Sequence, residues 1–260
     1  KVRLQRLKYV TSVDVKKIPI DEKLGIVDIN FILEETQSGE FKVGAGYSDS
    51  SGAIFNIKVQ QDNFLGRGNN VALELEKSSY RKLLKYSNTN PYYTQDGISK
   101  TVSLVFSETD ASSTSTAAYL SDTFAYGVSF SVPISETRFY GYGAELVYTE
   151  YTSTSGSPTR VTDFFDKHGK THLGVNLNAS IIEDTRDRTV YATTGVRHSL
   201  VSNTYIPPDL DYSYTSLTYR GEYNYPYELD FLNLFTWNTS FQIKPQLGFG
   251  LGLTGTSSLP

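Results

Sequence analysis

The sequence predicts an all-β fold, a transmembrane antiparallel β-barrel, and three observations carry the prediction. From Phe41 onward nearly every segment alternates apolar and polar residues with period two. The polar positions hold mainly Gly, Ser, Asn, Gln and Lys, while the apolar positions end repeatedly in tyrosine, whose ring and hydroxyl suit a membrane interface. The connections also differ: 133–137 and 64–69 are short, whereas 108–122 and 149–170 are long and rich in Ser and Thr, the expected contrast of inner turns and outer loops. The pattern alone leaves an alternative open, a large soluble sandwich or solenoid in which the apolar strand faces meet a second layer.

Taken in order, Val2, Leu4 and Leu7 among Lys and Arg read as the last turns of an amphipathic helix. A strand begins at 13–18, a turn follows at 21–25, and Ile26, Ile29, Phe31 and Leu33 mark a second strand. Helix, strand, turn and strand suggest the tail of a small α+β module covering 1–36. Thr36-Gln37-Ser38-Gly39 is a polar linker, and the alternating region occupies 37–260. Its clearest strands are carried by Phe41, Val43, Ala45 and Tyr47; by Phe55, Ile57 and Val59; and by Val71, Leu73 and Leu75. Further runs lie at 102–106, 124–132, 140–148 and 173–181, with candidates near 80–89, 195–202, 212–224 and 234–248. Together they make roughly eleven strands.

Composition excludes several classes. The 260 residues carry 24 Lys+Arg against 28 Asp+Glu, a net charge of -4 without a basic stripe, which argues against nucleic acid as a partner. No run approaches the roughly 18 apolar residues of a membrane-spanning helix, so only a barrel could cross a bilayer. With no cysteine there is neither a disulfide framework nor a thiolate metal site nor a cysteine nucleophile. The absence of methionine, the initiator included, leads us to expect an internal or trimmed segment.

Side-chain chemistry reads blandly. His168 and His172 are spaced i, i+4, but the stretch reads as loop entering a strand, so a solvated loop pair is the plainer interpretation than zinc. His198 reads as a lumen-facing or rim residue. No Gly-x-Ser-x-Gly motif occurs, and the serines cluster in runs such as 112–116. Asp184, Asp187, Asp209 and Asp211 fit no EF-hand spacing, and the first two, interleaved with Arg186 and Arg188, read as a rim or lumenal charge cluster. Gly66-Arg67-Gly68 lacks the following Lys-Ser/Thr of a phosphate loop and reads as a hairpin turn whose glycines take positive φ. No catalytic group, metal or cofactor is expected.

Three segments, in order and at matching separations, resemble the opening barrel strands of the BamA family of outer-membrane β-barrel assembly factors: Gly39-Glu40-Phe41-Lys42-Val43-Gly44-Ala45-Gly46-Tyr47, Val59-Gln60-Gln61-Asp62-Asn63-Phe64-Leu65-Gly66-Arg67-Gly68, and Thr89-Asn90-Pro91-Tyr92-Tyr93-Thr94-Gln95-Asp96-Gly97. Asp184-Thr185-Arg186-Asp187-Arg188 and Pro226-Tyr227-Glu228 continue the likeness less sharply, and residues 1–36 resemble the close of the last POTRA domain. The family's motif turns then fall on Gln61, Asp62, Asn63, Gly66, Gly68, Asn90 and Pro91. The resemblance implies a partial chain: the end of a periplasmic POTRA domain and about eleven of some sixteen barrel strands, without a Val-Arg-Gly-Phe loop.

The resemblance also implies a function without catalysis, in the outer membrane of a Gram-negative bacterium. An unfolded β-barrel client would pair its terminal strand with the backbone edge of Phe41, Lys42, Val43, Gly44, Ala45, Gly46 and Tyr47 at a lateral gate. Gly44 and Gly46 would weaken that strand; the plainer reading is that they relieve lumen crowding or permit a bend. Implied partners are the clients, periplasmic assembly lipoproteins acting through the POTRA region, and outer-membrane lipid with lipopolysaccharide. A TamA-like factor or a two-partner secretion transporter is the alternative within the superfamily, and a passive pore or adhesion barrel the alternative outside it.

Overall fold

The computed structural model describes residues 4, 9–21, 25–36, 38–49, 51–113, 118–154, 156–188, 192–231 and 235–253. β1 (Val10–Asp21) and β2 (Ile26–Glu35) form a separate antiparallel pair, and the expected helix near 2–7 falls almost wholly outside the described residues. Among the described residues after 38, the elements other than one helix and two single 3-10 turns join a single antiparallel meander. Its strands are β3 (Gly39–Ser48), β4 (Gly52–Gln61), β5 (Asn70–Lys77), β6 (Arg81–Asn90), β7 (Ser99–Asp110), β8 (Tyr119–Pro133) and β9 (Arg138–Ser153). β10 (Thr171–Asp184), β11 (Gly195–Ile206), β12 (Tyr214–Phe231), β13 (Phe235–Ile243) and β14 (Gln246–Gly252) complete it. Each strand from β3 to β13 pairs with the next, as hairpin connectivity dictates.

The 12-stranded sheet crosses its own width eleven times, because β13 and β14 lie end to end on β12. Tyr223 faces Ile243 and Tyr219 faces Leu247, so one register runs through both. The expected strand at 234–248 is thus longer and interrupted at Lys244-Pro245, since proline lacks the N–H that the ladder needs there.

Side-chain alternation sorts the sheet into two faces. On β10, Leu173, Val175, Leu177 and Ile181 point outward and are exposed, while His172 and Gly174 between them are covered. The same outward row continues through Leu73 and Leu75, Phe106, Tyr140, Tyr142 and Leu146, Leu217, Phe249 and Leu251. Very few large apolar side chains are buried among the described residues, and no second layer packs on the outward face, which overturns the sandwich alternative. A single sheet with an apolar outside is the arrangement that lipid, and not a protein core, stabilises.

The connections at one rim, 49–51, 78–80, 111–118, 154–170 and 207–213, include the long ones; we call it the loop rim. The opposite, turn rim holds 62–69, 91–98, 134–137, 185–194 and 232–234 and lies on the side where β2 enters the sheet. The expected contrast in length is incomplete. Two loop-rim connections, after β3 and after β5, are three-residue hairpins, while 62–69 and 91–98 are longer. The long stretch 149–170 is also not all loop: β9 runs on to Ser153 and α1 (Thr159–His168) follows. Pro158 at the α1 start and Gly169 after its end, with Gly169 N–H donating to Phe165 O at 2.8 Å, are ordinary helix boundaries.

Candidate functional site

β3 is the first strand of the sheet and pairs on one side only, with β4, from Gly39 opposite Gln61 to Ser48 opposite Gly52. No described strand pairs with its other edge. Phe41, Val43 and Tyr47 are 69%, 66% and 78% exposed, far more than the outward residues of central strands. Lys42 and Glu40 form an exposed ion pair of 2.7 Å. A Cβ at Gly44 would meet only Asn56 Cβ, at 4.0 Å, and one at Gly46 would meet nothing within 4 Å. Among the described residues neither glycine sits in a crowded place, and the middle of β3 lacks side-chain packing there.

The motif turns sit at the turn rim. Asn63, Leu65, Gly66 and Gly68 all take positive φ, so the glycines do what the sequence predicts and Leu65 adds a strained position it does not reveal. Gly68 N–H donates to Asn63 Oδ1 at 2.8 Å, and the Asn70 amide bonds the Asp62 carboxylate. Asn90 Oδ1 accepts from Tyr92 N–H at 3.1 Å, an Asx turn that Pro91 favours. Asp62 N–H donates to Ser38 O at 2.8 Å, and Gln61 Nε2 to Ser38 Oγ at 2.6 Å, which ties the linker to the sheet. Tyr9, whose carbonyl accepts from Thr36 N–H, lies against Gly68; burial and the neighbouring Glu35 carboxylate raise its phenol pKa. Tyr9 and Ser38 are contacts that sequence reasoning missed, for want of any local pattern.

Beyond the β10 end, Arg186 forms ion pairs with Asp184 at 2.7 Å and Glu222 at 3.1 Å, joining β10 to β12 across β11. These carboxylates hold the Arg186 guanidinium above its usual range. Asp187 accepts from Thr193 Oγ1 at 2.8 Å and Thr193 N–H at 2.9 Å, and these bonds, the Thr193 hydroxyl first, keep its carboxyl well below the usual range. The rim charge cluster read from the sequence is therefore present and satisfied.

At the loop rim the histidine pair differs from its reading. His168 ends α1, and His172 is not solvated but 4% exposed on the inward face of β10. His172 Nε2 donates to Gly169 O at 3.0 Å, which leaves Nδ1 to accept from Tyr212 Oη at 2.6 Å. Phe164, Phe165, Tyr151, Tyr205 and Tyr212 pack around it. Both nitrogens are engaged, and no cluster of three metal-ligating side chains occurs among the described residues. His198 faces outward near the turn rim, bonded to Tyr219 Oη at 2.8 Å, and not into the lumen. Asp211 N–H donates to Asp209 Oδ1 at 3.4 Å, a local turn bond.

Comparison with known proteins agrees with this geometry. Residues 63–260 match the Omp85 superfamily domain. The outer membrane protein assembly factor BamA of Neisseria meningitidis serogroup B is 30% identical over 173 residues, 66% of this chain and 22% of that protein. BamA of Buchnera aphidicola is 31% identical over 90 residues, 35% of this chain and 15% of that protein. This chain therefore spans less than a quarter of either relative. Among solved structures, BamA from Haemophilus ducreyi lacking POTRA domains 1-3 superposes with a TM-score of 0.71 at 21% identity, covering 96% of this chain and 48% of that one. CdiB from Acinetobacter baumannii gives a TM-score of 0.54 at 15% identity, covering 93% and 46%. A one-layer antiparallel meander with an apolar outside, matched over three quarters of its length by the superfamily domain, makes this chain a member of the Omp85 superfamily.

Proposed function

We propose that this chain is the leading part of the barrel of a BamA-like assembly factor, which folds and inserts β-barrel proteins into the outer membrane of a Gram-negative bacterium. The observation that carries the reading is β3: the ten-residue first strand of the sheet, with a soft middle at Gly44 and Gly46, where a side chain would meet almost nothing among the described residues. Its edge away from β4 carries alternating N–H and C=O groups, which an incoming terminal strand of a client would complete by β-augmentation. Backbone groups in hydrocarbon must be paired, so a weakly held seam at β3 would favour exchange for a client strand without nucleotide or catalytic side chain. In the same reading residues 1–36 end a POTRA domain on the periplasmic side, where assembly lipoproteins dock, and the loop rim faces lipopolysaccharide.

The test links β3 shut. A cysteine at Val43, oxidised to a cysteine in the last barrel strand of the full-length protein, should abolish client assembly in proteoliposomes, and reduction should restore it. Assembly that continues with the seam locked would exclude β3 as the client strand.

A further inference from the structure

The two ends of the β3–β4 hairpin carry similar devices, one on β3 and one at the start of β4. At the turn rim, a Cβ on Gly39 would lie 2.9 Å from Gln61 Oε1. The missing side chain admits the Gln61 amide, which donates to Ser38 Oγ at 2.6 Å and to Asp62 O at 3.1 Å. At the loop rim, a Cβ on Gly52 would lie 2.8 Å from Ser79 Oγ, and Gly52 takes φ +63. Here the missing side chain admits Ser79, whose hydroxyl and N–H both donate to Ser51 O, at 2.6 and 3.1 Å. The hairpin tip of β3–β4 is thereby tied to that of β5–β6. Between these ties Gly44 and Gly46 have open space.

We propose that Gln61 and Ser79 are positioning residues which clamp the two ends of the β3–β4 hairpin, Gln61 through Gly39 on β3 and Ser79 through Gly52 on β4, so that β3 keeps one register on β4 while its soft middle deforms to accept a client. The inference rests on the client-strand reading of β3 and adds a rule for register. The three-residue connection 49–51 restrains β3 at the loop rim, but the alternation itself would tolerate a two-residue slip, because side-chain direction repeats every second residue. Weak packing at Gly44 and Gly46 lowers the resistance to such a slip. The clamps oppose it from outside the pairing ladder, and neither depends on the other.

The glycine and the polar side chain of each clamp act as one unit, which makes the proposal sharp. Gly39→Ala displaces the Gln61 amide, so Gly39→Ala, Gln61→Ala and the double variant should have the same effect, whereas independent roles would add. Ser79→Ala should loosen the other end, and Ser79→Thr, which keeps the hydroxyl, should restore it.

The experiment uses the full-length protein in proteoliposomes with two readouts. Amide exchange should rise roughly five-fold, the worth of one neutral hydrogen bond, near residues 39–42 for the Gln61 and Gly39 variants and near 45–48 for Ser79→Ala. A client bearing a cysteine in its terminal strand should crosslink to a cysteine at position 43 in the unaltered protein, and to positions 41 and 45 as well in the variants. Unchanged exchange, or additive effects of Gly39→Ala and Gln61→Ala, overturns the clamps. Faster exchange with crosslinking still confined to position 43 overturns their positioning role. No crosslink in the unaltered protein overturns the client-strand reading, while the exchange readout still decides whether the clamps exist.

Discussion

The phenol ring of Tyr205 fills the space that a side chain at Gly174 would take: a Cβ there would lie 2.5 Å from both Cζ and the hydroxyl oxygen. Gly174→Ala therefore forces a rigid ring to move within the inward aromatic cluster, at a cost of about 1–3 kcal/mol. Thermal unfolding in detergent should show the loss, and Tyr205→Leu combined with Gly174→Ala should recover part of it. Equal losses in the presence and absence of the Tyr205 ring would refute the steric coupling.

Pro245 offers a gain. Gly221 N–H donates to Pro245 O at 2.9 Å, but the reciprocal donor is missing. Pro245→Ala supplies an N–H opposite Gly221 O, so β13 and β14 should fuse into one strand. Amide protection near 244–247 should rise, with stability increasing by about 0.5–1.5 kcal/mol.

The His172–Tyr212 bond predicts a metal-independent role. Tyr212→Phe keeps the ring contacts but leaves His172 Nδ1 buried without a donor, which should cost about 1–3 kcal/mol in unfolding experiments. Zinc should leave the unfolding temperature of the unaltered protein unchanged, since both imidazole nitrogens are already engaged. A zinc-induced stabilisation lost in His168→Ala would contradict this.

Asp187 sets a pH dependence at the turn rim. Its folded pKa is depressed, chiefly by the Thr193 hydroxyl, so its contribution is complete above the ordinary carboxylate value of about 3.9 and disappears as pH falls through the lower folded value. Between pH 7 and 4 the Thr193 and Thr194 amides should keep their protection, and they should lose it only in stronger acid. In Asp187→Asn the acid-dependent loss should vanish.

Gly46→Val tests the softness of β3. The space is open, so the variant should fold, and the β-branched side chain raises strand preference by up to about 1 kcal/mol. Client assembly should slow while barrel stability is unchanged or higher. Faster assembly would mean that softness is not what the strand contributes.

Most of the sheet is legible in the sequence because its code is local: Leu173, Val175 and Leu177 announce both the strand and its outward face within five residues. Lipid, unlike a protein core, asks nothing of a distant partner. What the period-two pattern hides is non-local or one-off. Tyr212 meets His172 across 40 residues of sequence, so the covered imidazole reads as solvated. The helix 159–168 is hidden by its Ser/Thr-rich flank, although Pro158 before it, Gly169 after it and the apolar spacing of Val161, Phe164 and Phe165 are helix signals. The strand break at Pro245 was also written in the sequence, but an unbroken alternation on both sides hid it. For the candidate site, periodicity gives β3 and its glycines; the client-pairing role came from resemblance alone, and the clamps came from side chains approaching glycines across the hairpin.

The two three-residue connections at 49–51 and 78–80 carry a consequence for how the surface can vary. Insertions are tolerated where backbone is long and exposed, and they disrupt tight hairpins. The arc of the loop rim above β3 to β6 therefore has little room to change. Changes in length are accommodated instead at 111–118, 154–170 and 207–213, the arc farther from β3.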